Sequence, residues 1–259
     1  MKRSFFVITF ILAAFAVNAV AAARMQPDEV VSEIYNRFMK LNIKTMTYDE
    51  IRVSSYELAP QVAGKQQGTM PLNAENSSTM KQRYFYQAPD KHGYRQISEP
   101  MPGYWAGSPN QPGAIPMDQK WKDKVMSWYS VTMSPKDQVA GGAQCYVVTL
   151  SPKPDTPAQY PMTWYVDKDK FIVLKVVFLV NKGGKKVSAT GEIKYKKYSG
   201  YYMPESSKWR TKVQNLPYFF LSNSTFSNYT FNEPIDPASF KEQFPDDWFE
   251  KLGEQPYKQ

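Results

Sequence analysis

Cysteine and histidine are almost absent from this chain. A single Cys145 excludes an internal disulfide and a Cys-rich metal site, and a single His92 excludes a His-rich one. One imidazole allows one His-dependent triad at most, and no Ser–Asp arrangement points to it. His92 falls in the turn Pro89-Asp90-Lys91-His92-Gly93 and reads as an exposed loop residue. Cys145 opens a strand and reads as buried and inert. Acidic side chains are in deficit, 24 against 32 Lys and Arg, for a net charge of +8 over 259 residues. Past the N-terminus no apolar run is long enough to span a bilayer; Phe171–Val180 comes nearest and is interrupted by Lys175.

Aromatic residues are plentiful: 18 Tyr, 15 Phe and 6 Trp. With 42% apolar residues the chain is too hydrophobic for disorder. Tyr favours strands. The composition predicts a strand-rich globular domain with a large aromatic interior or lining.

Residues 1–23 read as a secretory signal peptide. Lys2 and Arg3 form a positive start, Phe5–Val17 an apolar core broken only by Thr9, and the Ala-rich end offers cleavage after Ala21 or Ala23. The mature chain, 24–259, reads as one domain exported to the periplasm. Sequons at Asn76, Asn223 and Asn228 read as chance in a bacterial protein.

Pro27–Leu41 has helical spacing, with Val30, Val31, Ile34, Phe38 and Leu41 on one face. Pro27, Asp28 and Glu29 suit its first turn. From Thr45 the period changes to two, with Ile51 and Val53 alternating with Arg52 and Ser54. Thr79–Ala88 is a second strand, with Gln82, Tyr84 and Tyr86 on one face. Glu99–Met117 holds five Pro and three Gly and reads as a long loop. Asp118 suits the cap of a short helix to Tyr129. Cys145–Leu150, Met162–Asp167, Ile172–Val180 and Val187–Lys196 are strands, the last three joined by short turns as an antiparallel meander. In the third of these four, Ile172, Leu174, Val176, Phe178 and Val180 share a face by alternation. Gly200–Val213 and Ser224–Phe231 add strands, and a short helix is expected near Asp246–Leu252.

Several blocks, in order, resemble one family. Trp164-Tyr165-Val166-Asp167 is followed by an aliphatic strand and Gly184-Lys185. A strand then runs into Gly200-Tyr201-Tyr202-Met203-Pro204, and the chain closes on Phe231-Asn232-Glu233-Pro234-Ile235-Asp236-Pro237-Ala238-Ser239-Phe240. This resembles the LolA-like superfamily of periplasmic lipoprotein carriers and lipoprotein-sorting proteins. The resemblance implies an α+β, mainly antiparallel fold: an incomplete β-barrel, a curved antiparallel sheet, closed by helices around an apolar cavity. It implies acyl-chain cargo, no catalytic residues and no cofactor. Two features depart from the carrier itself: Ala88 stands where the carrier has Arg before Pro, and the Pro-rich loop replaces an Asp-Gly-Lys block.

The resemblance assigns the cavity wall to Tyr84, Tyr86, Trp164, Val166, Leu174, Val176, Phe178, Ile193 and Tyr195. It makes the helix a lid, through Val30, Ile34, Phe38 and Leu41, with the Pro-rich loop as a second lid. Arg52 and Arg95 are the headgroup candidates, although alternation turns both to solvent. Nine basic residues against two acidic ones lie between Lys182 and Lys212. They read either as a solvated outer face or as a basic patch, centred on Lys194, Lys196 and Lys197, for anionic lipid or an acidic partner. The functional expectation is a monomeric, non-enzymatic carrier of an acylated lipoprotein or lipid toward the outer membrane. The alternative is an envelope sensor acting through a membrane-protein partner. Neither reading involves nucleic acid or metal.

Overall fold

The computed structural model describes residues 24–58, 78–97, 117–156, 160–182, 185–214 and 218–240. The expected signal peptide, the Asn76 sequon, the Pro-rich loop up to residue 116 and the expected helix near Asp246–Leu252 lie outside the described residues.

Helix α1 spans Pro27–Lys40. Pro27 occupies the first turn, where its missing N–H costs nothing. The Glu29 carboxylate accepts the backbone N–H of Gln26 (2.8 Å), satisfying a donor the helix cannot. Arg37 and Lys40 sit in the last turn, against the negative end of the dipole. Asn42, at φ 52°, takes the chain out of the helix.

Eleven strands follow among the described residues. β1 is Thr45–Leu58, β2 Ser78–Gln87 and β3 Lys91–Gln96. Helix α2, Gln119–Trp128, leads into β4, Tyr129–Met133, then β5, Gln138–Ala140, and β6, Ala143–Pro152. β7 is Met162–Asp167, β8 Val173–Lys182, β9 Lys185–Tyr198, β10 Tyr201–Val213 and β11 Tyr218–Phe231. A 3-10 turn, Pro237–Phe240, packs on β3. All pairings are antiparallel. The strand order is β3-β2-β1-β11-β10-β9-β8-β7-β6-β4, with β5 added on β6. The end strands β3 and β4 do not pair with each other, so among the described residues the sheet stays open. The expected incomplete barrel is what forms.

Irregular pairings help bend it. Register shifts fall at Thr47/Asp49, Pro204/Ser206 and Tyr165/Val166. Each inserts a residue and increases local twist. The concave face is closed by α1 and α2. Val30, Val31, Ile34 and Tyr35 of α1 and Trp121 and Val125 of α2 pack with Val148, Leu150, Met162, Trp164, Val166 and Val176. At about 1.5–3 kcal/mol for each large apolar side chain fully buried, this cluster is the main force holding the helices on the sheet.

Two expectations about faces are corrected. In β8 the alternation places Leu174 with Val176. The shift at Tyr165/Val166 pairs Val166 with Val173 while Trp164 pairs with Val176. One residue more on β8 than on β7 turns Leu174 away, into a cluster with Ala140, Cys145 and Ile172, against the turn at Gly141. In β1 the buried row is Met46, Glu50 and Arg52, whereas Ile51 is 38% exposed. Arg52 therefore does not face solvent. Its Nε donates to the Glu50 carboxylate (2.9 Å), which also accepts the Ser224 hydroxyl (2.6 Å). Polar partners on both strands let a charged pair occupy the inner face.

His92 is also corrected. It lies in β3, with its side chain 14% exposed, and its Nε2 is 2.5 Å from the Asp118 carboxylate.

Candidate ligand cavity

Between α1 and the concave face lies a cavity of about 140 Å³. Its roof is Ile34, Arg37 and Phe38 of α1. The floor is built from inward positions of β1, β2 and β7–β11: Met46, Tyr48, Tyr84, Tyr86, Trp164, Val176, Ile193, Tyr195, Met203, Trp209, Phe226 and Tyr229. His92, Met117 and Phe171–Val173 complete the rim, with Phe85, Tyr202 and Pro204.

Many of the aromatic rings around the cavity touch one another. Tyr48 stacks on Tyr84 (4.9 Å) and Tyr229 (5.2 Å) and meets Phe226 edge-on (6.0 Å). Phe38 of the roof meets Tyr86 of the floor at 5.5 Å. Such offset and edge contacts add about 0.5–1.5 kcal/mol each beyond area burial. Several hydroxyls are tied to the protein: Tyr229 donates to the Pro204 carbonyl (2.8 Å), Tyr84 to Gln82 Oε1 (2.5 Å) and Tyr86 to the Pro89 carbonyl (3.3 Å). Burial raises the phenol pKa of Tyr48 and Tyr229 and pushes those of Tyr86 and Tyr195 up to about 12. All four stay neutral at physiological pH.

Gly191 shapes the floor. It pairs with Trp209 across β9 and β10, and the indole lies over it; a Cβ there would stand 2.6 Å from ring atoms. A strand glycine here admits a large ring where any side chain would collide.

Of the wall residues expected from sequence, the structure brings Tyr84, Tyr86, Trp164, Val176, Ile193 and Tyr195 to the cavity. Val166 is fully buried in the helix–sheet core instead, and Phe178 packs half-buried against Trp209 with ring centroids 5.7 Å apart. Leu174 lies in the separate cluster described above. On α1, Ile34 and Phe38 line the cavity, Val30 belongs to the core, and Leu41 packs near Ile43, Met46 and Met203. Arg95 is exposed on β3, over the Phe85 ring. Lys194, Lys196 and Lys197 are exposed on β9, and Lys196 lies 3.7 Å from Glu205.

Sequence reasoning missed Tyr48, Trp209, Phe226, Tyr229 and Arg37. The aromatic ones sit at inward registers of long strands, and their period of two was available. Arg37 carried no signal, because it borders the apolar stripe of α1 instead of interrupting it.

At the edge of the cavity the β7–β8 turn is held by Asp167. Its Oδ1 accepts the N–H groups of Asp169 and Lys170 (both 2.9 Å), and its Oδ2 accepts Lys170 Nζ (3.1 Å). Burial opposes ionisation of Asp167, but these donors outweigh it and hold the carboxyl below its usual range.

A family model described only as an uncharacterized protein matches residues 58–244. No curated protein matches the chain. Among solved structures, a LolA superfamily protein from Nitrosomonas europaea aligns over 84% of this chain and 99% of its own at 11% identity, with a TM-score of 0.50. A DUF1329 family protein from Desulfovibrio piger aligns over 84% and 98% at 14% identity, TM-score 0.48. An outer membrane lipoprotein-sorting protein domain from Vibrio parahaemolyticus aligns over 83% and 96% at 14% identity, TM-score 0.49. The chain thus belongs to the uncharacterized-protein family whose model spans residues 58–244, and it is built on the fold of the LolA superfamily.

Proposed function

We propose that this chain is an exported, periplasmic carrier that holds an acyl chain of a lipoprotein or lipid between α1 and the concave sheet. The observation that carries this reading is the apolar, aromatic-walled cavity with α1 as its roof. The LolA-type fold supports a binding role of this kind.

The size of the cavity bears on mechanism. Its 140 Å³ is close to the roughly 150 Å³ of an apolar cavity that takes up benzene, and below the roughly 300–1,000 Å³ of ordinary ligand sites. A long chain therefore enters only as the roof lifts. Lifting the last two turns of α1, with Val30 and Val31 staying in the core, exposes Ile34, Tyr35 and Phe38, at a cost of about 1.5–3 kcal/mol for each side chain fully uncovered. Each cargo CH₂ buried returns about 0.8 kcal/mol, so about six to eleven methylenes offset the opening. The empty protein stays closed, and cargo holds it open.

The test is to purify the protein from its native envelope and identify bound lipid by mass spectrometry. A stoichiometric acyl-chain compound supports the carrier. Lipid-free protein that also fails to take up an apolar fluorescent probe overturns it in favour of the sensor role.

A further inference from the structure

The polar groups of the cavity are unbalanced. Among the described lining residues there is no carboxylate, and the permanent cation is Arg37. Its Nη2 donates to the Tyr202 carbonyl (2.9 Å), and it has no other hydrogen bond and no ion pair among the described residues. A guanidinium carries five N–H donors, so most of its capacity is unused. Asp167, whose field reaches Arg37, is already occupied by the donors of its own turn. Burial lowers the Arg37 pKa, with Tyr195 and Asp167 opposing the shift. The group remains charged at a half-buried position on the cavity roof.

Two further donor-bearing side chains, Trp164 and Tyr195, line the same space. The Trp164 Nε1–H is buried without a partner. The Tyr195 hydroxyl has no hydrogen bond to a described residue. Buried donors without acceptors are costly, typically about 1–3 kcal/mol each, and a ligand bringing acceptors relieves that cost. The acceptors nearby are in use: the Tyr202 carbonyl by Arg37 and the Pro204 carbonyl by Tyr229.

We propose that Arg37, with Tyr195 beside it, recognises the anionic oxygen-bearing head, carboxylate or phosphate, of a single-chain amphiphile whose tail occupies the cavity. This rests on the carrier reading and narrows it, from acylated cargo in general to anionic lipid. The neutral ester linkages of a protein-bound acyl group do not use the charge. A guanidinium in a partly dry site pairs strongly with such a head, because the fork geometry matches two oxygens.

The experiment uses four ten-carbon amphiphiles below their micelle concentrations: decanoate, decyl phosphate, decanol and decyltrimethylammonium. Inorganic phosphate serves as a tail-free control. Binding is measured by titration calorimetry on the mature protein and on Arg37→Gln. The wild type should bind an anionic member at least about tenfold more tightly than decanol, equivalent to about 1.4 kcal/mol. The cation should bind most weakly and inorganic phosphate not detectably. Arg37→Gln should bring the anions to within about twofold of decanol, and Arg37→Lys should restore part of the preference. Equal affinity for decanol and the anions in the wild type, or a preference that survives Arg37→Gln, overturns the anion proposal and leaves the carrier intact. Tight binding of inorganic phosphate alone overturns it in favour of a free-anion site. No binding of any tailed compound overturns the carrier reading and this proposal together. The wild-type ranking decides the question even if the variant misfolds.

Discussion

The imidazole of His92 on β3 meets the carboxylate of Asp118, and the same carboxylate accepts the backbone N–H of Trp121 (3.0 Å). One buried side chain thus caps α2 and ties that helix to the edge strand beside the cavity. His92 itself lines the cavity and lies 5.1 Å from the Tyr86 ring.

Removing this double contact should be felt. Asp118→Ala loses the cap, about 0.5–2 kcal/mol, and also the histidine contact. Asp118→Asn keeps the cap acceptor and should cost less. Urea unfolding at pH 7 that ranks Ala below Asn below wild type supports the arrangement; equal midpoints for all three contradict it.

The buried Glu50–Arg52 pair predicts an asymmetric mutational response. Arg52→Ala leaves a buried carboxylate without its cation and should destabilise by about 3–5 kcal/mol. The double substitution Glu50→Leu with Arg52→Leu removes both charges and should recover much of that loss. A double variant no more stable than Arg52→Ala would refute the desolvation argument.

Gly191→Ala places a methyl group into the Trp209 indole. Overpacking of this kind costs about 1–3 kcal/mol. The ring must move, and it lines the cavity, so probe uptake and tryptophan fluorescence should both change. An alanine variant with unchanged melting and unchanged spectrum would mean that the floor yields freely.

Three lowered carboxylates give the acid response its sign: Glu33, held down by Asn36 and Lys40, and two at the sheet, Asp49 and Asp167. Asp49 is held below its usual range mainly by Arg83, whose Nε lies 2.6 Å from it, with help from Asn228 against burial. Asp167 is lowered as described. A depressed carboxylate pKa stabilises the fold above the unfolded value, near 3.9, and that contribution is lost as pH falls through the folded value. Melting temperature should therefore fall below about pH 4. Asp49→Asn and Asp167→Asn should each flatten the fall. An unaltered slope in both variants counts against these contacts.

Opening of α1 is testable by locking it. Phe38→Cys with Tyr86→Cys, in a Cys145→Ser background, joins roof to floor where the rings now touch. The pair is bridged by oxidation or a short bismaleimide. Bridged protein should exclude an apolar probe, and unbridged protein should admit it. Equal uptake in both forms would favour a permanently open groove.

Much of the architecture was legible because its signals are local. The helix at Pro27 follows from residues spaced three and four apart, and the Asp118 cap from one side chain at a helix start. The meander of β7, β8 and β9 follows from alternation and short turns. The face of Leu174 was not legible, because the extra residue on β8 is visible only against β7. Arg52 was misplaced for a similar reason: its acceptor Glu50 is two residues away on the same strand, but Ser224, which shares that carboxylate, is on β11.

By itself, then, the sequence determined which segments are helix and strand, that the sheet is antiparallel, and that aromatic side chains dominate one face. Those properties depend on neighbours along the chain. Tertiary structure alone decided which face of β1 turns inward, how far the sheet bends before α1 covers it, and that Arg37 stands over the cavity without a carboxylate partner. These depend on register between strands far apart in sequence, where a shift of one residue exchanges the inner and outer faces.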